Sequence, residues 1–533
     1  MKKINLSFIA LLGFMFLLNS CTDDLNVVPE DDDVFLSEDF FNQPDAYKKG
    51  LAGVYGNFSL TGAAGPGSSF LEGIDAGTSQ YGRCLWYMEN LTTDEVIWSY
   101  ENDPGTKELQ RNTWTAQNPV ILGMYSRAMA EVAFVNEYLR QTTPEKLNSR
   151  GVTDATTLSE IELYRNEVKV LRSLAYYHLM DLFGKATFVT ENDPPGFAGP
   201  QYDRNQLFNF IEEELTEVIP NLKAARTNEY GRVDQAVAKM ILAKIYLNAE
   251  VYIGTNRYSD CATLCTEIIG SGYTLNSNYL NNFKADNNNS SEMIFTFQSD
   301  GITTQNYGPT TVMINGQVGS IEQNGTGLGV SSGGWGGALR LRKQFVQKFE
   351  GADFNTDSRK TIISGPRNID ISDIANRDQG YILAKYSNVT STGGLGSSTT
   401  FVNTDFPLFR LADVYLMYAE CAVRGASSAS LTQALDYVND LRERANSGST
   451  IANIDSSDLT LDFIIDERAR ELHWESHRRQ DLIRFNKYTG GSYNWAWKGN
   501  GSNGISISNN LKLFPIPSAS LAANPNLTQN PGY

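Results

Sequence analysis

The sequence predicts a mainly α protein, with paired helices stacked into a superhelical frame and one long loop-rich region that contributes minor β structure. Three observations carry this. From about Tyr125 to Ile269, and again from about Leu408 to Tyr488, apolar residues recur at helical spacing. Between those stretches, from about Leu275 to Phe406, Gly, Ser, Asn and Thr dominate, a composition of turns and not of periodic elements. No Pro- or Ser-rich linker divides the 533 residues, so one folded unit carrying an insertion is expected.

Taken in chain order, Lys2 and Lys3 precede an apolar run from Ile4 to Leu18 that stops at Asn19-Ser20-Cys21, the pattern of a secretory signal. The run is shorter than the roughly 20 residues a spanning helix needs, and no later segment approaches that length. Leu18-Asn19-Ser20-Cys21 resembles the lipobox of bacterial lipoproteins, which implies removal of residues 1–20 and lipidation of Cys21. Two or three acyl chains, at about 0.8 kcal/mol per buried methylene, make such an anchor stable, where one chain would not. Asp31-Asp32-Asp33 lies close behind, so residues 21–45 read as a solvated acidic tether and 46–533 as a single domain.

Losing Lys2 and Lys3 with the signal leaves 42 basic residues against 61 acidic, a formal balance of −19 that argues against nucleic-acid binding. Apart from Cys21, only Cys84, Cys261, Cys265 and Cys421 remain, too few to staple a chain of this length. Cys261 and Cys265 stand one helical turn apart, poorly set for a disulfide, and read as buried thiols. Ala236 to Leu247 followed by Tyr258 to Ile269 shows the small-and-aromatic pattern of tetratricopeptide repeats, with Ala238, Leu242 and Tyr246 on one face. A second pair runs Leu411 to Val423 and Leu431 to Ala445, where Ala412, Tyr415, Ala419 and Ala422 allow close helix contact. Such pairs stack into a superhelix, right-handed by that resemblance, and leave broad surfaces suited to a partner.

Several blocks together resemble one family. They are the lipobox; Arg172-Ser173-Leu174-Ala175-Tyr176-Tyr177-His178-Leu179-Met180-Asp181-Leu182-Phe183-Gly184; Pro407-Leu408-Phe409-Arg410-Leu411-Ala412-Asp413-Val414-Tyr415-Leu416; Asp466 to Leu472 with Arg478 to Phe485; and Phe514-Pro515-Ile516-Pro517 with Asn526 to Tyr533. In this order they resemble the SusD-like (RagB/SusD) outer-membrane lipoproteins over essentially the whole chain, and the starch-binding member most of all. The resemblance implies a glycan-binding lipoprotein facing the cell exterior, partnered by a SusC-like TonB-dependent transporter. It also implies a binding arc: rings at Trp98, Tyr100, Tyr307 and Trp335, with polar contacts from Asp75, Arg83 and Asn102, the last displaceable by one residue onto Asp103. Tyr100 stands where that member has a second tryptophan. Asp286, Glu292 and Asp405 fall where a structural calcium ion would be held, and no other cofactor is implied.

The residues themselves support an arc independently. Trp335 sits in Gly333-Gly334-Trp335-Gly336-Gly337, where glycine neighbours leave a ring face open, and sugar rings stack on aromatic planes while their hydroxyls meet Asp, Asn and Arg. Val96-Ile97-Trp98 reads equally well as a core strand. Catalytic patterns fail on context. Gly329-Val330-Ser331-Ser332-Gly333 fits the G-x-S-x-G spacing but lies among further glycines, without the strand and helix a nucleophile elbow needs. His473 and His477 are four apart, yet Glu475 is not at the second position of H-E-x-x-H, and Arg470, Glu471, Glu475, Arg478 and Arg479 point to a structural ion network. His178, on an apolar helix, is expected to satisfy a core hydrogen bond. No spacing singles out a glycosidase carboxylate pair, and no phosphate loop or paired C-x-x-C is present. The expectation is a non-enzymatic binder of starch-like α-glucan. Its rivals are a surface-anchored glycoside hydrolase and a member of the same family serving another nutrient.

Overall fold

The structure is a computed structural model that describes residues 40–43, 45–71 and 75–533. Cys21 and the signal run lie outside the described residues. One unit ends at Lys49 and a second, compact unit spans Gly50–Tyr533 and holds everything that follows.

That unit is mainly helical. Its first segment comprises α1 (Tyr81–Trp86), continued by a π turn at Tyr87–Leu91, then β1 (Val96–Trp98). The helical frame follows with α2 (Pro119–Gln141), α3 (Ala155–Phe183), α4 (Arg204–Val218), α5 (Gln235–Leu247) and α6 (Tyr258–Ile269). The loop-rich stretch then holds β2 (Met293–Phe297), α7 (Pro309–Gly316) and β3 (Leu339–Leu341). It closes on β4 (Phe406–Arg410), which leads directly into α8 (Leu411–Val423), α9 (Leu431–Ala445), α10 (Leu461–Leu472) and α11 (Arg478–Arg484).

Local chemistry sets these bounds. α3 starts at Asp154, whose carboxylate accepts the Thr157 N–H, and stops at Gly184 in the left-handed conformation that a side chain would resist. Its residues from Val170 to Phe183 are all buried, as an apolar helix surrounded by others must be. Asp234 opens α5 by accepting from the backbone of Ala236 and Val237. The helices pack in sequence, α2 on α3, α3 on α4 and α5 on α6, and α6 then meets α8, which packs on α9, so the two sequence stretches form one layer of pairs. Both repeat pairs expected from the sequence are present at those positions. Cys84, Cys261, Cys265 and Cys421 are free buried thiols, with the Cys261 and Cys265 sulfurs 4.0 Å apart.

The frame and the loop-rich stretch are joined by buried ions. Arg410, at the end of β4, meets Glu475 at 2.6 Å, Glu471 at 2.7 Å and Glu292 at 3.2 Å. Arg444 joins Glu292 and Glu471, Arg359 reaches Asp357, Glu467 and Glu471, and Lys385 meets Glu475 at 2.7 Å. Burial by itself raises a carboxyl pKa, but Arg359, Arg470 and Arg442 outweigh it at Glu467, which is held down at about 2. The same balance, set by Arg468 and Arg484, brings Asp481 to about 2. His178 meets the Tyr81 hydroxyl at 2.8 Å, the core hydrogen bond expected of it.

Candidate functional site

The loop-rich region gathers aromatic rings from distant stretches of chain. β1 and β3 pair antiparallel with Trp98 opposite Leu339, which sets the turn after β1 beside the glycine-rich turn before β3. That second turn is pinned to the last turn of α7 and just past it: the Trp335 N–H donates to the Asn315 carbonyl at 2.9 Å, and the Gly337 N–H to that of Val318 at 2.6 Å. Gly334 has φ +42°, and a Cβ there would collide with Val318, so this turn requires glycine. Trp335 is left half-buried. The Tyr100 hydroxyl donates to the Trp335 carbonyl at 2.7 Å and accepts from Arg377 Nη1 at 3.0 Å, and the same nitrogen reaches the Gly336 carbonyl at 3.1 Å.

A second group lies at the start of α1. The Gln80 side chain accepts the Arg83 N–H at 2.7 Å, fixing Arg83 in the first turn. Arg83 then donates from Nε to the Tyr87 hydroxyl at 2.9 Å, with its guanidinium 5.1 Å from that ring's centre. Burial pushes the Tyr87 phenol up to about 12 despite Arg83 beside it, so it stays neutral. A Cβ built on Gly77 would lie 2.8 Å from Arg83 Nη1, 3.4 Å from Tyr307 Cβ and 3.5 Å from Asp75 Oδ1, which places Asp75, Arg83 and Tyr307 around one point. The Tyr307 N–H is held by Thr61 Oγ1 at 2.9 Å, and its ring meets Phe401 edge-on at 5.2 Å.

Trp98 joins the two groups, with its ring 5.9 Å from Tyr87, 6.0 Å from Tyr100 and 6.1 Å from Trp335, the last at 87°. The expectation that Trp98 is an open ring is corrected here. It is 2% exposed, in a strand whose three residues are all buried, and its Nε1–H is donated to Asp103 at 2.9 Å. Trp98 therefore supports Trp335 edge-on and offers no face of its own. Asn102 is exposed in the following turn, while Asp103 is occupied by that indole. The structure thus brings Asp75, Arg83 and Tyr307 around one point and ties Tyr100 to Trp335, with Arg83 buried and Asn102 exposed. Sequence reasoning missed Tyr87, Phe401 and Arg377. The first two are aromatic and within reach of a spacing argument, but Arg377 sits in the polar turn Asn376-Arg377-Asp378, with no pattern to mark it.

Among the described residues the two sequence patterns weighed for catalysis are not brought together at this surface. Ser331 and Ser332 are exposed in the loop, whereas His473 and His477 are buried among Lys385, Lys244 and Asp413, with burial and the lysines holding both imidazoles well below their usual range.

Residues 340–533 match the family model described as the SusD family. The Starch-binding protein SusD of Bacteroides thetaiotaomicron is 31% identical over 97% of this chain and 96% of its own length. The chain belongs to the SusD family. A SusD-like protein of Formosa agariphila is 23% identical to this SusD family member over 91% of the chain and 92% of the relative. Among solved structures, a SusD homolog from Bacteroides thetaiotaomicron superposes with a TM-score of 0.70 at 19% identity, covering 93% of this chain and 98% of that one. Surface glycan-binding protein A from the same organism, in complex with laminarihexaose, gives 0.67 at 22% identity, covering 91% and 99%.

The calcium ligands implied for this SusD family member do not fit a cation cage. Glu292 is neutralised by Arg410 and Arg444, Asp405 accepts from the Tyr230 hydroxyl and the Ser299 N–H, and Asp286 accepts from both the backbone and the hydroxyl of Ser391. Among the described residues no group of three or more His, Cys, Asp or Glu is placed to hold a metal. Nor is any described helix long and apolar enough to cross a membrane.

Proposed function

We propose that this SusD family member is a non-catalytic surface lipoprotein that captures a starch-like α-glucan and passes it to a TonB-dependent outer-membrane transporter. The observation that carries the reading is the half-open Trp335 ring, backed edge-on by Trp98 and tied to Tyr100, with Asp75, Arg83 and Tyr307 clustered nearby. A pyranose presents apolar C–H faces to such rings and hydroxyls to a carboxylate and a guanidinium. Stacking and a few hydrogen bonds, each worth about 1 kcal/mol, give weak and reversible binding, which suits a protein that must release its ligand. The starch preference leans on the name of the 31% identical relative. Anchoring through Cys21 would hold the surface beside its transporter, at an effective concentration set by the tether and not by bulk diffusion.

The test is affinity electrophoresis of wild type, Trp335→Ala and Tyr307→Ala in gels containing amylopectin, pullulan, laminarin and an unrelated glycan. Retardation of wild type by the α-glucans, lost in both variants, is the expected result. Unretarded migration in amylopectin and pullulan removes the starch assignment. Retention in laminarin instead moves the preference to the β-glucan seen with the solved neighbour. Release of reducing sugar, abolished by replacing a single carboxylate, would make the protein a hydrolase and overturn the reading.

A further inference from the structure

A separate cavity of about 280 Å³ opens where the turn between α4 and α5 passes over β2. Its size lies just below the range typical of small-molecule sites, about 300 to 1,000 Å³, so it suits one or two sugar-sized units and not an extended chain. Tyr230 forms one wall. Its hydroxyl donates to Asp405 Oδ2 at 2.6 Å and lies 3.1 Å from Thr296 Oγ1, and its carbonyl accepts from Gln298, yet 43% of the residue is exposed. A tyrosine fastened at both ends with an open ring is rigid before any ligand arrives.

The lining also holds Arg226, Asn288 and Asn289, all exposed. Arg226 is fixed by three contacts: its N–H donates to Asp234 Oδ2 at 2.7 Å, its guanidinium reaches the Gly272 carbonyl, and it lies 5.5 Å over the Tyr273 ring. Among the lining residues Arg226 and Arg232 face Glu229 and Asp234 in equal number, and Arg232 also pairs with the buried Glu167 outside the lining. A neutral polyhydroxylated molecule finds a ring face, amides and a guanidinium.

We propose that this cavity is a second carbohydrate site that takes a mono- or disaccharide unit, with Tyr230 as its stacking ring and Asn288 and Arg226 as hydrogen-bonding partners. This builds on the glycan-binding reading but uses none of the residues of the Trp335 surface. A short unit held here would let one chain grip a branched or bent polysaccharide at two points, raising retention through avidity.

The test is saturation-transfer NMR titration of the purified full chain with maltose, cellobiose and laminaribiose. The variants are the Trp335→Ala/Tyr307→Ala pair, Tyr230→Ala, Tyr230→Phe and Asn288→Ala. At least one disaccharide should show saturable binding that survives the double variant. That binding should fall about fivefold in Tyr230→Ala, the worth of one ring stack, fall also in Asn288→Ala, and persist in Tyr230→Phe, which keeps the ring. Asn288 is exposed, so its replacement tests the site without disturbing Asp405. Loss of all disaccharide binding in the double variant overturns the proposal, as does binding that ignores both Tyr230→Ala and Asn288→Ala, or no binding at all. Polysaccharide retention without any Tyr230-dependent binding sinks this site and leaves the Trp335 reading standing; Tyr230-dependent binding without polysaccharide retention does the reverse.

Discussion

Replacing Tyr100 by Phe keeps the ring that faces the ligand surface and removes only a hydroxyl, which makes it a test of positioning. That hydroxyl donates to the Trp335 carbonyl at 2.7 Å and accepts from Arg377 at 3.0 Å, so without it the glycine-rich turn keeps its ties to Asn315 and Val318 and the Arg377 bond to the Gly336 carbonyl. A neutral hydrogen bond contributes about 0.5–1.5 kcal/mol net, and because Arg377 is exposed its bond adds little more. If the turn must be re-ordered when a sugar stacks, about 1 kcal/mol appears as lost affinity, roughly fivefold. Isothermal titration with the glycan retained in gels measures this, and urea unfolding should shift by less than about 1 kcal/mol because no core atom is removed. In a Trp335→Ala background the same change should cost nothing further in binding, since no ring is left to position. Wild-type affinity in Tyr100→Phe, or an undiminished second loss in the double variant, would refute the idea that Tyr100 acts by holding Trp335.

Three further outcomes are expected. Arg410→Met leaves Glu292, Glu471 and Glu475 buried with one cation fewer, and should lower stability by about 3–5 kcal/mol in urea unfolding; a loss under about 1 kcal/mol would contradict the network. Glu467 is held at about 2, below its ordinary value, so its stabilising contribution is present above about pH 4.5 and lost as pH falls toward 2. That amounts to about 3 kcal/mol, and the pH dependence of unfolding in this window should shrink in Glu467→Gln. Gly77→Ala puts a methyl against the flexible end of Arg83, cheap for folding but enough to turn the guanidinium away from Asp75 and Tyr307. Glycan affinity should fall severalfold with an unchanged melting temperature, and equal affinity would show that Arg83 is not used.

The frame was legible because stacked helices demand small and aromatic residues at fixed spacing, and Leu411–Val423 followed by Leu431–Ala445 shows that demand plainly. Trp335 was legible for the opposite reason: a large ring among four glycines has no helix or strand to serve. Trp98 shows where the reading stops. Val96-Ile97-Trp98 satisfied both a core strand and a ligand ring, and only the pairing with β3 decides that the indole is covered. Arg377 was beyond reach because its role depends on which loop folds beside it, 277 residues from its partner Tyr100, and one arginine in a polar turn looks like any other.

The ionic core has a kinetic consequence. Glu292, Arg359 and Lys385 belong to the loop-rich stretch, while Arg444, Glu467, Glu471 and Glu475 belong to the frame, so the loops are moored at several buried points. A surface moored in this way waits in its binding shape and spends little time searching for it. Because these charges are buried, salt screens them little, and the loops stay moored as ionic strength changes.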